Sequence, residues 1–206
     1  MRITLLKPCR KSMCAVYIDG EYALKLDMQT LQENHIAQGD TLTDEQLKML
    51  IDQSDLRRAK EKALWLLSYR DHSKKELVDK MKRTCSQQAA QEAADRMEQL
   101  GLVDDRAFAR RYARQLIYKK RLAPGAALYK MREKGIDREL AQAALQECKV
   151  SASEQLHALL QGKYAGKLHD EKSRRRTVAA LQRMGYSWGD IRPVLEEYVQ
   201  ADSQYE

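Results

Sequence analysis

Three residues suited to capping a helix N-terminus, Ser86, Asp137 and Ser187, stand 51 and 50 residues apart, and their surroundings repeat with them. Lys-Met-Arg-Glu-Lys-Gly-Ile-Asp (130–137) and Leu-Gln-Arg-Met-Gly-Tyr-Ser (181–187) each end one helix at a glycine and open another. Leu77, Leu128 and Val178 keep a constant offset ahead of the three caps. A spacing of this length holds about three short helices, and helices so short cannot bury an apolar face alone. Each triplet must form a small core and touch its neighbours. The spacing therefore predicts a mostly α fold of tandem three-helix repeats, helix-turn-helix-like, at 57–102, 103–148 and 151–199, stacked in an elongated, curved array.

Residues 1–52 read differently, as a small N-terminal β-hairpin/α subdomain. Ile3 to Leu6 suits a strand before Pro8, and Asp19-Gly20 is a favoured two-residue turn between Met13 to Ile18 and Glu21 to Leu26. Pairing Ile18 with Glu21 puts Tyr17, Ala15 and Met13 on one side with Tyr22, Leu24 and Leu26, an apolar face expected to pack on the segment that follows. In that segment Asp27 can cap a short helix through Leu31, and Thr43 with Gln46 fits a capping box before Leu47, Leu50 and Ile51. Asp52-Gln53-Ser54-Asp55 reads as a linker ahead of a helix carrying Ala59, Ala63, Leu66 and Leu67.

Composition excludes more functions than it suggests. Charged residues make up 33% of the 206 and aromatics 6%, which suits helices with thin cores. No run approaches the roughly 18 apolar residues of a membrane span, and the start lacks the apolar length of a secretory signal, so a cytoplasmic location with no membrane partner is expected. Cys9, Cys14, Cys85 and Cys148 are expected as free thiols, because no second pair or nearby histidine completes a zinc set around Cys9 and Cys14. The histidines His35, His72, His157 and His169 are scattered. No phosphate loop, Gly-x-Gly-x-x-Gly or Gly-x-Ser-x-Gly occurs. Asp104-Asp105 stands where a helix should start, so capping explains it better than a metal-assisted hydrolytic pair, and elemental analysis for a divalent ion tests the difference. No enzyme activity, cofactor or metal is expected.

Positive charge is concentrated instead. From Asp104 to Lys134 ten Lys or Arg face three Asp or Glu, a net of +7, which is also the net charge of the whole chain. Phe108, Tyr112 and Leu116 mark the core side of an amphipathic helix, with Arg110, Arg114 and Arg121 on another face and Arg111, Lys119 and Lys120 beside them. Lys172, Arg174, Arg175 and Arg176 form a second cluster in the third repeat. One such cluster is as readily a solvated helix face; two at comparable places point to a polyanion. Tyr112, Tyr118 and Tyr129 are the main aromatics nearby, so base readout is expected to be weak.

Three stretches in order carry a family resemblance. They are Ala63-Leu64-x-Leu66-Leu67-Ser68-Tyr69-Arg70-x-x-Ser73-x-x-Glu76-Leu77, then Leu100-Gly101-Leu102-Val103-Asp104-Asp105-x-x-Phe108-Ala109-x-x-Tyr112-x-x-x-Leu116, then Lys134-Gly135-Ile136. In this order and spacing the chain resembles the RecX family, regulatory proteins that modulate the RecA recombinase, over nearly its whole length. Where the family has Gly-Pro, this chain has Ala123-Pro124-Gly125, with Ala127 at the apolar position after it. The resemblance implies a non-enzymatic regulator in DNA repair, recombination and the SOS response. Such a protein lies in the deep groove of the RecA filament on single-stranded DNA, contacts several protomers, and suppresses ATP hydrolysis and strand exchange. A monomer is expected.

On that reading Arg110, Arg111, Arg114, Lys119, Lys120 and Arg121, with Lys130 and Arg132, contact filament DNA or acidic protein surface, and Lys172, Arg174, Arg175 and Arg176 give a second grip. Asp105, Phe108 and Tyr112 belong to capping and core. Linked weak contacts become strong only where protomers repeat at matching spacing. The alternative is a stand-alone DNA-binding protein using helix-turn-helix-like modules, which predicts tight, salt-sensitive binding to naked DNA.

Overall fold

The computed structural model describes residues 1–202, with side chains to residue 198. Strands β1 (Ile3–Pro8), β2 (Met13–Ile18) and β3 (Glu21–Asp27) form an antiparallel sheet in the order β1-β2-β3. Helices α1 (Met28–Glu33), α2 (Asp44–Tyr69), α3 (Lys74–Met81) and α4 (Gln87–Gln99) follow. Then come α5 (Asp105–Arg114) running into a π-helical turn (Gln115–Lys119), α6 (Pro124–Glu133), α7 (Arg138–Gln146), α8 (Ala152–Gln161), α9 (Glu171–Arg183) and α10 (Trp188–Asp202). The chain divides into two compact units, Met1–Asp104 and a second that begins at Asp105.

The sheet keeps the expected turn but not the expected face. Ile18 pairs with Glu21 and Tyr17 with Tyr22, yet Val16 pairs with Leu24 and Cys14 with Leu26, because a bulge at Ala23 shifts the register by one residue. The side that packs is therefore Cys14, Val16 and Leu26 with Ile18 and Leu24, against Ile3, Leu31, Leu42 and Leu50. Tyr17, Ala15 and Met13 do not form that face, and Tyr22 is exposed. A one-residue slip exchanges the faces of a strand, and burial decides which pairing holds.

The residues after Thr43 form one helix, not two joined by a linker. Thr43 and Gln46 make the capping box at its start, and α2 then runs unbroken through Asp52-Gln53-Ser54-Asp55. Polar residues in a helix interior usually compete with the backbone, but here three of these side chains are engaged elsewhere, Gln53 Oε1 accepting from the Asn34 side-chain amide at 2.7 Å. The Ser54 hydroxyl is buried and accepts from the Asp27 N–H at 2.7 Å, at the junction of β3 and α1. The Asp55 carboxylate accepts from the Ser86 N–H at 2.7 Å, at the start of α4. α2 thus joins the sheet core to the first helical core, where Ala59, Ala63, Leu77, Met81, Ala90 and Met97 are buried together.

The three caps act as read. The Ser86 hydroxyl accepts from the Ala89 N–H (3.2 Å), the Asp137 carboxylate from the Glu139 N–H (2.8 Å), and the Ser187 hydroxyl from the Asp190 N–H (3.1 Å). The core positions ahead of them differ from the reading by one residue. Leu77, Ala127 and Thr177 are the buried set, as are Met81, Met131 and Leu181, whereas Leu128 and Val178 flank their cores half-buried. The cause is the turn before the cap, which spans residues 82–85 in the first repeat but only 134–136 and 184–186 in the others.

His72, buried ahead of the Ser73 cap of α3, makes the first unit sensitive to acid. Its Nδ1 lies 2.9 Å from the Arg70 carbonyl oxygen. Burial, and after it the charge of Arg70, hold the imidazole below its ordinary 6.5. The unfolded chain therefore takes up this proton first as pH falls, so the stability contribution is intact above about 6.5 and erodes below it. The melting temperature of the first unit is expected to fall between pH 7.5 and 5.5, with a shallower fall in His72→Gln.

Candidate polyanion-binding surface

Helix α5 buries Phe108, Ala109 and Ala113, with the Phe108 and Tyr112 rings stacked at 5.7 Å. Away from that side Arg106, Arg110 and Arg114 recur every fourth residue, with Arg111 beside them, all exposed. The helix does not continue straight to Arg121. Its last turn is π-helical, a form that fits an extra residue per turn, so that neighbouring Leu116 and Ile117 are both buried and Lys119 and Lys120 emerge exposed. Arg121 leaves the helix at φ 53°, while the Leu122 N–H reaches back to the Leu116 carbonyl at 3.1 Å. The expected single cationic face through Arg110, Arg114 and Arg121 is therefore broken: Arg121 sits half-buried on the turn. A non-glycine residue there costs about 1–2 kcal/mol.

Ala123 then caps α6, Pro124 takes its first position and Ala127 is buried, so the Ala-Pro-Gly departure still opens a regular helix. Lys130 and Arg132 stand exposed on α6, and the Lys130 ammonium lies 5.9 Å from the Tyr129 ring. On α9, Lys172, Arg175 and Arg176 are exposed on one face, while Arg174 is turned from it and half-buried. Arg183, which the sequence reading left out, extends that face. Its signal was present in the spacing of seven residues after Arg176. Arg106, four residues before Arg110, was missed in the same way.

The structure separates cations with an acidic partner from cations without one. The Arg110 Nε and Nη2 groups donate to Glu147 Oε1 at 3.2 and 3.1 Å, across a shallow groove also lined by Arg106, Asp137 and Glu139. Lys130 donates to Glu133 at 2.8 Å, which raises the ammonium pKa. Glu171 accepts from both Arg174 and Arg175, with Arg175 Nε at 2.8 Å, and the two guanidiniums, Arg174 foremost, lower its carboxyl pKa. Among the described residues, Arg114, Lys119, Lys120, Arg132, Lys172 and Arg176 make no ion pair. Of these, Arg176 adds its charge to the Ser173 hydrogen bonds that lower the Asp170 carboxyl pKa, while the others show no carboxylate partner within ion-pair distance.

Charge was not the only surface signal. On α2 of the first unit, Trp65 and Tyr69 are exposed with ring centroids 4.8 Å apart, and the Lys62 ammonium lies 3.8 Å from the Trp65 ring. The four-residue spacing was legible, but apolar residues at helical spacing read first as core. Among the described residues no helix is long and apolar enough to cross a membrane.

Family models match the chain twice: RecX, first three-helix domain, over residues 59–97, and RecX, second three-helix domain, over residues 104–145. A protein named regulatory protein RecX from Prosthecochloris aestuarii is 32% identical over 145 residues, covering 70% of this chain and 95% of that one. Another of that name from Lactobacillus delbrueckii subsp. bulgaricus is 30% identical over 137 residues, covering 66% of this chain and 51% of the relative. The chain thus matches about half the length of the Lactobacillus delbrueckii protein. Among solved structures, one described as regulatory protein RecX superposes with a TM-score of 0.60 at 21% identity, covering 95% of this chain and 98% of the other. RecX from Lactobacillus salivarius superposes at 0.55 and 24%, covering 69% and 96%. At these identities the superpositions establish the fold.

Proposed function

Because the chain belongs to the RecX family of regulatory proteins, we propose that it binds the RecA recombinase filament on single-stranded DNA and lowers its ATP hydrolysis and strand exchange. The observation that carries this reading is the set of exposed cations without ion pairs in the second unit, Arg114, Lys119, Lys120, Arg132, Lys172 and Arg176. Cations already satisfied by a neighbouring carboxylate gain little from a phosphate, because the carboxylate must be displaced. Cations without one release counterions from the polyanion at full value. The test is single-stranded-DNA-dependent ATP turnover by the recombinase, titrated with this protein. Turnover should fall to a plateau, and unchanged turnover at saturating protein rejects the proposal.

The same chemistry suits naked DNA, so the second measurement compares binding to a bare oligonucleotide and to the assembled filament at one salt concentration. Preference for the filament supports the regulator. Equal or tighter binding to bare DNA supports a stand-alone DNA-binding protein.

Arg110 offers a gain-of-function check. Glu147→Gln removes its counter-ion, and one added phosphate contact near 0.15 M salt is worth about fourfold in affinity for single-stranded DNA. Anisotropy of a labelled oligonucleotide should therefore report tighter binding and a steeper salt dependence than wild type.

A further inference from the structure

The cationic turn at Lys119-Lys120-Arg121 belongs to the second repeat by sequence, but the hydrogen bonds that hold it come from the third. Tyr186, in the turn between α9 and α10, is buried, and its Oη lies 2.9 Å from both the Arg121 carbonyl oxygen and Gln155 Oε1. Its single proton can serve one of these acceptors at a time. Next to it the Met184 carbonyl accepts from the Ala123 N–H at 3.0 Å. Two contacts from residues 184–186 therefore bracket the segment 121–123. Inside the bracket Arg121 sits at φ 53°, a conformation that an arginine does not favour without support. From within the second repeat come the Lys120 N–H to the Gln115 carbonyl (3.0 Å) and the Leu122 N–H to the Leu116 carbonyl (3.1 Å).

We propose that Tyr186 is a positioning residue for the polyanion-binding turn: the third repeat, through Tyr186 and the Met184 carbonyl, holds Lys119, Lys120 and Arg121 in the conformation that presents their charges together. The inference rests on the proposed role of this turn in binding single-stranded DNA. It goes further by making the third repeat a structural partner of the cationic turn as well as a carrier of its own cations on α9. Without the phenol the Arg121 carbonyl loses its partner and the left-handed residue its support. The turn then samples other conformations and its three charges no longer act as one patch.

The test uses the full chain and three proteins: wild type, Tyr186→Phe and the double variant Lys119→Ala/Lys120→Ala. Limited trypsin digestion well below the melting temperature reads the turn itself, since cleavage after Lys119, Lys120 or Arg121 requires local opening. A labelled polythymidine oligonucleotide at several salt concentrations reads binding. Tyr186→Phe is expected to speed cleavage at 119–121 roughly tenfold relative to sites in α2 and α4, as expected for a turn that opens locally. It should also weaken oligonucleotide binding several-fold and lower the salt slope by about 1–2. A generally loosened fold would speed cleavage everywhere and leave the slope unchanged, which overturns the proposal. Unchanged cleavage at 119–121 overturns it too, and so does faster cleavage with binding unaltered while Lys119→Ala/Lys120→Ala weakens it. If the double variant binds as wild type does, the binding role of the turn fails, and faster cleavage in Tyr186→Phe alone then upholds the positioning. Should Tyr186→Phe not fold, amide exchange of the wild-type chain decides: the Ala123 amide should open with the denaturant dependence of α9 amides, and opening with α5 overturns the coupling.

Discussion

Gly185→Ala should destabilise the second unit by about 2–4 kcal/mol. Two penalties coincide at this position. The backbone is at φ 93°, and an added Cβ would collide with the Ala126 Cβ, inside the distance that two non-bonded carbons can share. Relief requires the turn before α10 to move off α6, and that turn carries both the Met184 carbonyl and Tyr186. For a cooperative unit of about a hundred residues, the change amounts to a fall of about 10–20 °C in melting temperature. Gly101→Ala is the control that separates the penalties. Gly101 also has a positive φ, 70°, but nothing lies within 4 Å of a Cβ there, so only the conformational cost of about 1 kcal/mol applies. Adding Ala126→Gly to Gly185→Ala should recover the steric part. A double-mutant cycle by thermal or denaturant melting gives the coupling directly, and additive losses would show that the contact with α6 is not the cause.

The cost at Gly185 illustrates which features can be read from residues alone. The caps at Thr43, Ser86, Asp137 and Ser187 were legible because each bond joins residues two or three apart, a distance that sequence spacing reports without ambiguity. Repetition at 50–51 residues exposed the helical triplets for the same reason, but it pointed to Leu77, Leu128 and Val178 as core positions, whereas the buried set is Leu77, Ala127 and Thr177. What stayed hidden depended on partners far along the chain. Ser54 and Asp55 looked like a linker because their partners, Asp27 and Ser86, are 27 and 31 residues away. The bulge at Ala23 is invisible in a hairpin pattern, because the register that wins is the one that buries Val16 and Leu26 against Leu31 and Leu50. Gly185 could be recognised as a helix-ending glycine, but not as the residue that lets one repeat touch another.

Charge follows the same division. Counting Lys and Arg shows where positive charge is concentrated along the chain, but counting assigns equal weight to each. Arg110 and Glu147 are 37 residues apart and form a pair only once α5 and α7 have packed, so no local pattern marks Arg110 as already neutralised. Arg174 and Arg175 share Glu171 three and four residues earlier, a helical spacing that the sequence did contain. The π-helical turn is the other hidden feature, because it takes Arg121 off the helix face on which a regular α-helix would have left it.

That division yields the strongest functional expectation. The variant Lys119→Ala/Lys120→Ala/Arg121→Gly removes three charges without an ion-pair partner from one turn, and glycine at 121 keeps the left-handed backbone without strain. Each lost phosphate contact on single-stranded DNA lowers the salt slope by about 0.7, so the slope should fall by about 2 and affinity near 0.15 M salt on the order of 50-fold. Inhibition of recombinase ATP turnover should shift to correspondingly higher protein concentration. Arg174→Ala/Arg175→Ala also removes positive charge but frees Glu171, and it should cost less than a third as many decades of affinity, because those cations already share a carboxylate. Circular dichroism should show both variants folded, since no charged group being removed is part of a buried core. If the two sets lose affinity in proportion to the charge removed, local pairing does not matter and the surface acts only through net charge. If the triple variant binds as wild type does, the cationic turn is not where the polyanion lies.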